Sequence, residues 1–504
     1  METVTKETVK FLLIGEERIC QQVAYVMSFD NFEIKEFTWL SERNVQEVRD
    51  YNIYVCDFKR KWRRQVKKLA LNNVKYLDDI CRKIDRQCLC DRRQSRKDFF
   101  KKFKHMSPMK HYKLWGYDWL KSIYYKIKGT KTMRAAKRFK YDCINNVKYL
   151  SYLKPSQLFL YVLYAPLNEH VNCSYLESNI FLAISGDVRG CCSTTVPFGN
   201  ILFDGTLDQI CRSTYARIIK LSSLNHSYCL CDFNKWCLCY SSEKVKERAN
   251  LPVLKTHSDG INCINAEIDS SCNLCCKSCR NKKYVMDDVS RLKADIVVDK
   301  LLSSGYLDQT KNLILSGRGE VFYSPYYRRL LETDLKRKNI HILSNGILFN
   351  ETNWNWLKNK YETIDVQISV DAATKETYQY LRGGNFDVLL KNLHMLAVLH
   401  RQGRIRNFKL NFVVQRDNFR EMVEFVKLGR SLNVDCIEFQ RMCNFGNLSK
   451  KKLLEHCLII NDEYLDKELW QVLQDPIFRD PIVDLRGFER YIQASNKRYM
   501  DDKD

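Results

Sequence analysis

Cys272, Cys276 and Cys279 stand in the run Ile268-Asp269-Ser270-Ser271-Cys272-Asn273-Leu274-Cys275-Cys276-Lys277-Ser278-Cys279-Arg280-Asn281, spaced C-x3-C-x2-C. Thiolates packed this closely repel one another unless a metal takes up their charge, and soft sulfur ligands suit iron–sulfur clusters or zinc. The count of three is informative. A cubane [4Fe–4S] cluster held by three thiolates leaves one iron open to a substrate group, whereas an electron-transfer cluster is closed by a fourth cysteine. A zinc knuckle, or a chance grouping in a chain with 22 cysteines, satisfies the same spacing. Cys275 has no assigned role.

Something must hold that loop, and the flanking pattern says what. An alternating apolar run at 261–268 leads straight into the cysteines and reads as a β-strand. Strands are predicted again at 312–316, 340–344, 363–370, 408–414 and 436–440, with amphipathic helices between them, as at 387–399 and 419–432. Six strand–helix units predict a partial (βα)6 barrel, in which chemistry gathers at the C-terminal strand ends. The second strand runs into Ser316-Gly317-Arg318-Gly319-Glu320 and the third into Ser344-Asn345-Gly346. The fourth runs into Ile368-Ser369-Val370-Asp371-Ala372, then Thr374-Lys375-Glu376-Thr377-Tyr378 and Leu381-Arg382-Gly383-Gly384.

This ordered set resembles the radical S-adenosylmethionine superfamily, whose signature is C-x3-C-x2-C after the first strand of a partial βα barrel. The resemblance implies that Cys272, Cys276 and Cys279 ligate a [4Fe–4S] cluster with an open iron site, chelated by S-adenosylmethionine. An electron from the cluster then cleaves the sulfonium to a 5′-deoxyadenosyl radical, which abstracts hydrogen from substrate. Gly317, Gly319 and Glu320 are similar to the family's G-G-E motif, which receives the methionyl amine; Arg318 displaces its first glycine. Ser344-Asn345-Gly346 is like the family's T-N-G and places Asn345 at the cofactor. Ser369 and Asp371 become candidates for ribose or carboxylate contacts, and Arg382 for holding the loop or the cofactor carboxylate. A reductant such as ferredoxin or flavodoxin is implied as a partner.

A second cysteine group lies at 170–245: Cys173, Cys191, Cys192, Cys211, Cys229, Cys231, Cys237 and Cys239. It resembles SPASM-type auxiliary-cluster domains, placed before the barrel instead of after it. The expected ligands of an auxiliary [4Fe–4S] cluster are Cys192, Cys229 or Cys231, Cys237 and Cys239; structural zinc and packed free thiols remain alternatives.

Residues 1–85 alternate strand and helix: strands at 9–15, 32–40 and 51–57, helices at 19–29 and 59–71. This predicts a small Rossmann-like parallel sheet, similar to nucleotide-fold modules attached to sugar-modifying enzymes. The G-x-G-x-x-G fingerprint is missing, because Glu16 and Glu17 follow Gly15 where a pyrophosphate would sit. A degenerate docking module is expected. Residues 86–140 then hold about 18 Lys and Arg against about 3 Asp, interleaved with aromatics from Phe99 to Tyr125. Such a mixture binds single-stranded nucleic acid or forms solvated linker helices.

Net charge is +23 over 504 residues, which permits anionic partners without selecting one. No apolar run reaches the ~18–20 residues of a membrane span. Many cysteines and no h-region at the start predict a cytoplasmic protein using thiols for metal ligation. The expected organisation is an α/β chain. It comprises a Rossmann-like module (1–85), a basic helical linker (86–169), a cysteine-rich auxiliary domain (170–250), a partial (βα)6 TIM-like barrel (251–445) and a C-terminal helical cap (446–504). The expected substrate is a peptide or a sugar-type small molecule. An RNA-modifying enzyme with the same core, or a non-enzymatic metal-binding scaffold, are the rivals.

Overall fold

The computed structural model describes residues 11–14, 17–28, 32–35, 52–56, 74–89, 150, 153–232, 260–279, 284, 286–315, 317, 319–333, 338–442, 449–461, 463–485 and 487–500. The helix expected at 59–71, the basic stretch beyond residue 89, Ser316, Arg318, Cys237 and Cys239 lie outside them. The chain divides into two compact units, one of residues 1–178, 187–232 and 243–259, the other of residues 179–186, 233–242 and 260–504.

In the first unit, β1 (Phe11–Ile14) lies between β2 (Phe32–Lys35) and β3 (Asn52–Val55), with β4 (Val74–Tyr76) beyond β3. All of these pairs are parallel. Helix Glu17–Met27 buries Ile19, Val23 and Val26. β4 was outside the expected pattern because three residues are too few for alternation to register. Next the chain lends β5 (Asn179–Leu182) to the second unit, then returns for β6 (Asp187–Arg189) and β7 (Gly199–Asn200), an antiparallel pair.

The second unit is a large parallel sheet with helices following its strands. Its strands are β8 (Cys263–Ala266), β9 (Asn312–Leu315), β10 (Asn339–Ser344), β11 (Thr363–Ser369), β12 (Asn407–Val414) and β13 (Cys436–Arg441). A small antiparallel hairpin of β14 (Ile459–Ile460) and β15 (Tyr464–Leu465) precedes β16 (Val483–Asp484). The order is β16-β13-β12-β11-β10-β9-β8-β5, every neighbouring pair parallel. The six strands read from the sequence therefore sit side by side in chain order. β5 and β16 flank these six strands on either side. Neither was expected: Asn179–Leu182 lies in a stretch dominated by its cysteines, and Val483–Asp484 is two residues long.

The strand register sorts the side chains onto two unlike faces. One face carries Ile264, Leu313, Ile340, Ile342, Val366, Ile368, Leu410, Phe412 and Ile437, all buried. The helices Phe386–Arg401 and Met422–Ser431 cover it through Leu389, Leu393, Phe425 and Val426. Phe412 stacks against Phe425 at 4.8 Å and Phe439 at 5.4 Å between ring centroids. Each such side chain contributes about 1.5–3 kcal/mol of burial, so this face holds the unit together. The opposite face carries Asn265, His341, Gln367, Ser369, Lys409, Asn411, Glu438 and Gln440, aligned across strands by the same register. Polar groups are costly to bury without partners, and here Gln367, Asn411, Glu438 and His341 partner one another.

Candidate functional site

The cysteine loop begins where β8 ends. Ser271 N–H donates to Asp269 Oδ1 at 2.7 Å, turning the chain so that Cys272 follows immediately. The loop then docks on the helix Lys375–Arg382: Lys277 N–H donates to the Leu381 carbonyl at 2.8 Å, and the Cys276 thiol donates to the Arg382 carbonyl at 3.9 Å. Burial pushes the Cys276 thiol up to about 11, with Arg382 pulling it down and Asp371, Cys272 and Cys279 adding to the rise. Cys276 thus feels the charges of both other loop thiols. Among the described residues, no three His, Cys, Asp or Glu side chains close tightly enough to hold a metal ion.

Gly319 lies against this loop. A Cβ there would meet the Asp269 carbonyl oxygen at 2.5 Å and the Ser271 carbonyl oxygen at 2.8 Å. Glu320 N–H donates to that Ser271 oxygen at 2.9 Å, so the segment after β9 is stitched to the segment after β8. Gly317 has φ +142°, and a Cβ there would meet Glu267 Cγ at 2.7 Å. Only glycine tolerates both conditions.

Glu320 is 1% exposed, and its carboxylate faces inward. Ser344 Oγ donates to Oε1 at 2.7 Å, Asn345 N–H to Oε2 at 2.7 Å, and Phe322 N–H to Oε1 at 3.3 Å. Burial raises its pKa, against those donors and the charge of Arg382. Its hydrogen-bonding capacity ties the end of β9 to the end of β10. Asn345 acts the same way: its side-chain amide donates to Asn273 Oδ1 at 2.8 Å and to the Cys272 sulfur at 3.6 Å. The Asn392 amide donates to the Gly346 carbonyl at 2.8 Å, fixing the turn from the helix side.

After β11 the chain turns at Asp371, which holds φ +62°, a left-handed conformation that Asp adopts more readily than most residues. Its Oδ1 accepts from Val413 N–H at 2.7 Å, its Oδ2 pairs with Arg382, and its carbonyl accepts from the Asn418 amide at 2.9 Å. Asp371 and Arg382 are both buried, 2% and 8% exposed. A buried pair of this kind is worth keeping mainly because losing either partner strands the other. Ser369 sits one turn earlier, half-buried on the polar sheet face. Farther down that face, Gln367 Nε2 donates to Asn411 Oδ1 at 2.7 Å and Glu438 Oε2 at 3.0 Å. Gln367 Oε1 therefore accepts from His341 Nε2 at 2.9 Å.

Gly317, Gly319, Glu320, Asn345, Asp371 and Arg382 are thus brought to one end of the sheet, around Cys272 and Cys276. Sequence reading left out Asp269, Asn273, Tyr378, Asn392 and Asn418. Asp269 and Asn273 lie inside the cysteine run and Tyr378 inside the run from Thr374 to Arg382, but neither run singled them out; Asn392 and Asn418 act through partners many residues away.

In the first unit, residues 191–194 lie along residues 228–232: Thr194 bridges Cys231, Asp232 N–H donates to the Ser193 carbonyl at 2.9 Å, and Thr195 N–H to the Leu230 carbonyl at 3.0 Å. Cys191 and Cys192 hydrogen-bond to each other, pushing Cys191 up and pulling Cys192 down, and the Cys231 charge bears on Cys191. Cys229 is turned toward Ser227, whose hydroxyl meets its sulfur at 3.4 Å. Cys191, absent from the expected ligand set, is therefore within electrostatic reach of Cys231 as well as next to Cys192. No described helix is long and apolar enough to cross a membrane.

No protein-family model matches this chain, and no curated protein does. Solved structures with a similar part include SuiB of Streptococcus suis bound to S-adenosylmethionine, at 14% identity over 39% of this chain and 46% of that one, TM-score 0.29. TYW1 with a lysine-pyruvate adduct bound matches at 18% identity over 44% of this chain and 74% of that one, TM-score 0.29. The enzyme anSMEcpe with bound AdoMet and Cp18Cys peptide matches at 18% identity over 45% of this chain and 63% of that one, TM-score 0.33. The chain spans about half the length of SuiB, 46%. Overlaps this small establish neither a reaction nor a substrate.

Proposed function

We propose that this chain is a radical S-adenosylmethionine enzyme acting on a peptide or sugar-type metabolite. The observation that carries the reading is the docking of the C-x3-C-x2-C loop against the ends of three successive parallel strands, by residues of the three motifs expected there. Asn345 reaches the Cys272 sulfur at 3.6 Å, Glu320 N–H reaches the Ser271 carbonyl at 2.9 Å, and the Cys276 thiol reaches the Arg382 carbonyl at 3.9 Å.

The donor set suits a [4Fe–4S] cluster. Three thiols share one loop, with Cys276 within electrostatic reach of the other two, yet they do not close on a point; a multi-iron group is wider than one ion and needs its ligands spread. Cys272, Cys276 and Cys279 would hold it. Such a cluster, bound there together with S-adenosylmethionine, would supply one-electron reductive chemistry that activates a substrate C–H bond.

The protein's part is positioning. Gly317 and Gly319 let backbone groups approach the methionyl amine. Glu320, spent on Ser344, Asn345 and Phe322, serves that cradle by fixing its walls rather than by meeting the ammonium directly. Asp371 and Arg382 hold the turn after β11, and Ser369, the last residue of β11, is placed for a ribose hydroxyl. The polar face from His341 to Gln440 offers amide and carboxylate groups to a hydrogen-bonding substrate. Cys191, Cys192 and Cys231, with Cys229, Cys237 and Cys239, are proposed to serve an auxiliary cluster, and a ferredoxin or flavodoxin to supply electrons.

Anaerobic reconstitution tests the reading. Wild-type chain given iron, sulfide, dithionite and S-adenosylmethionine is expected to yield 5′-deoxyadenosine, and the Cys272→Ala/Cys276→Ala/Cys279→Ala variant none. Equal yields would overturn the assignment.

A further inference from the structure

Among the described residues, two buried hydrogen-bond donors beside the cysteine loop lack a protein acceptor. The Tyr378 hydroxyl and Arg382 Nε have no partner, although Tyr378 is fully buried and Arg382 is 8% exposed. An unsatisfied buried donor costs about 1–3 kcal/mol, and phenylalanine would fill the space around the Tyr378 ring without that cost. The hydroxyl therefore calls for an acceptor that the polypeptide does not supply.

Its surroundings indicate which. Measured from the point where a Gly384 Cβ would stand, the Tyr378 hydroxyl lies at 3.0 Å and Leu274 Cδ2 at 3.2 Å. Leu274 is inside the cysteine loop, between Cys272 and Cys276. The helix carrying Tyr378 is the one on which the loop docks, through Leu381 and Arg382. Burial raises the phenol's pKa; Arg382 opposes this, while Cys276, Asp371 and Glu320 add to it. The raised phenol remains a donor at neutral pH.

We infer that the Tyr378 hydroxyl donates a hydrogen bond to a sulfur of the iron–sulfur group held by Cys272, Cys276 and Cys279, with Arg382 Nε as a second donor on the same side. This rests on the function proposed above and adds a tuning role to it. Reduction adds negative charge to such a group, and a donor to its sulfur stabilises the reduced state more than the oxidised one. The hydroxyl thus raises the potential, and its removal lowers it.

The test is a redox titration of the reconstituted chain monitored by electron paramagnetic resonance, without S-adenosylmethionine. Tyr378→Phe is expected to move the midpoint to a more negative potential and to remove an exchangeable proton coupled to the reduced cluster. A fluorotyrosine at 378, a stronger donor of nearly the same shape, is expected to move the midpoint the other way, and it carries the test if Tyr378→Phe fails to fold. Unchanged midpoints in both variants, with iron and sulfide bound, would overturn the inference while leaving the proposed function standing. Absence of iron and sulfide from wild-type chain would overturn that function itself, and the inference with it.

Discussion

Glycine at 319 is required by contact, not by backbone freedom. A methyl group there would press on the carbonyl oxygens of Asp269 and Ser271 at 2.5 and 2.8 Å, and backbone cannot swing aside as a side chain can. Gly319→Ala is expected to displace the cysteine loop while leaving the apolar sheet face intact. Thermal melting should fall by no more than about 2 kcal/mol equivalent, whereas iron incorporation should drop sharply. Full iron loading would show that the loop does not depend on that contact. Glu320→Gln addresses the neighbouring residue. One amide oxygen replaces two carboxylate oxygens that accept from Ser344, Asn345 and Phe322. At least one buried donor then faces an amide NH2, so a loss of about 1–3 kcal/mol in denaturant unfolding is expected.

At the scale of elements, the helix Lys375–Arg382 is held by its first turn. Glu421 accepts from Ala373 N–H at 2.6 Å, Thr374 N–H at 3.1 Å and the Thr374 hydroxyl at 2.7 Å. Thr374 itself caps the helix by accepting from Thr377 N–H at 3.3 Å. Glu421→Ala is expected to cost about 1–2 kcal/mol and to raise hydrogen exchange in that helix, on which the cysteine loop docks. Exchange unchanged there would contradict the role. At the other end of β11, burial pushes the Asp365 carboxyl up, but hydrogen bonds from Arg406 and Asn407 outweigh it and leave the group below its usual range. A depressed folded-state pKa stabilises above the ordinary Asp value, and that stability is lost as pH falls through the folded value. Asp365→Asn should therefore flatten the acid limb of the stability curve, by about 1 kcal/mol or less because Arg406 is nearly half exposed, 46%. An acid limb as steep as wild type would rule out this group as its source.

Across the whole molecule, Cys191, Cys192, Cys229 and Cys231 lie in one compact unit and Cys272, Cys276 and Cys279 in the other, so the two sets are expected to load independently. The variant lacking Cys272, Cys276 and Cys279 should retain iron through the cysteines of 191–239. Replacing Cys191, Cys192 and Cys231 as well should remove most of it. Iron near zero in the first variant would mark the region as thiol-rich structure or a zinc site.

The periodicity of residues 261–440 and the spacing of three cysteines, both local, determined the parallel strand–helix alternation and the placement of motifs at strand ends. The side-chain period of a strand is two, so a buried row of Ile, Leu, Val and Phe announces itself to a reader of the sequence alone. Tertiary structure decided what each motif residue does there. Glu320 was legible as a carboxylate beside glycines, but its use by Ser344 and Asn345 depends on strands β9 and β10 being neighbours. Arg382 was legible as a cation, but its pairing with Asp371 requires the helix after β11 to return over the turn. The short flanking strands β5 and β16, the grouping of Cys191 with Cys231, and the unsatisfied hydroxyl of Tyr378 arise in the same way. Hydrogen bonding and burial are properties of pairs, and the partners are joined only when the chain has folded.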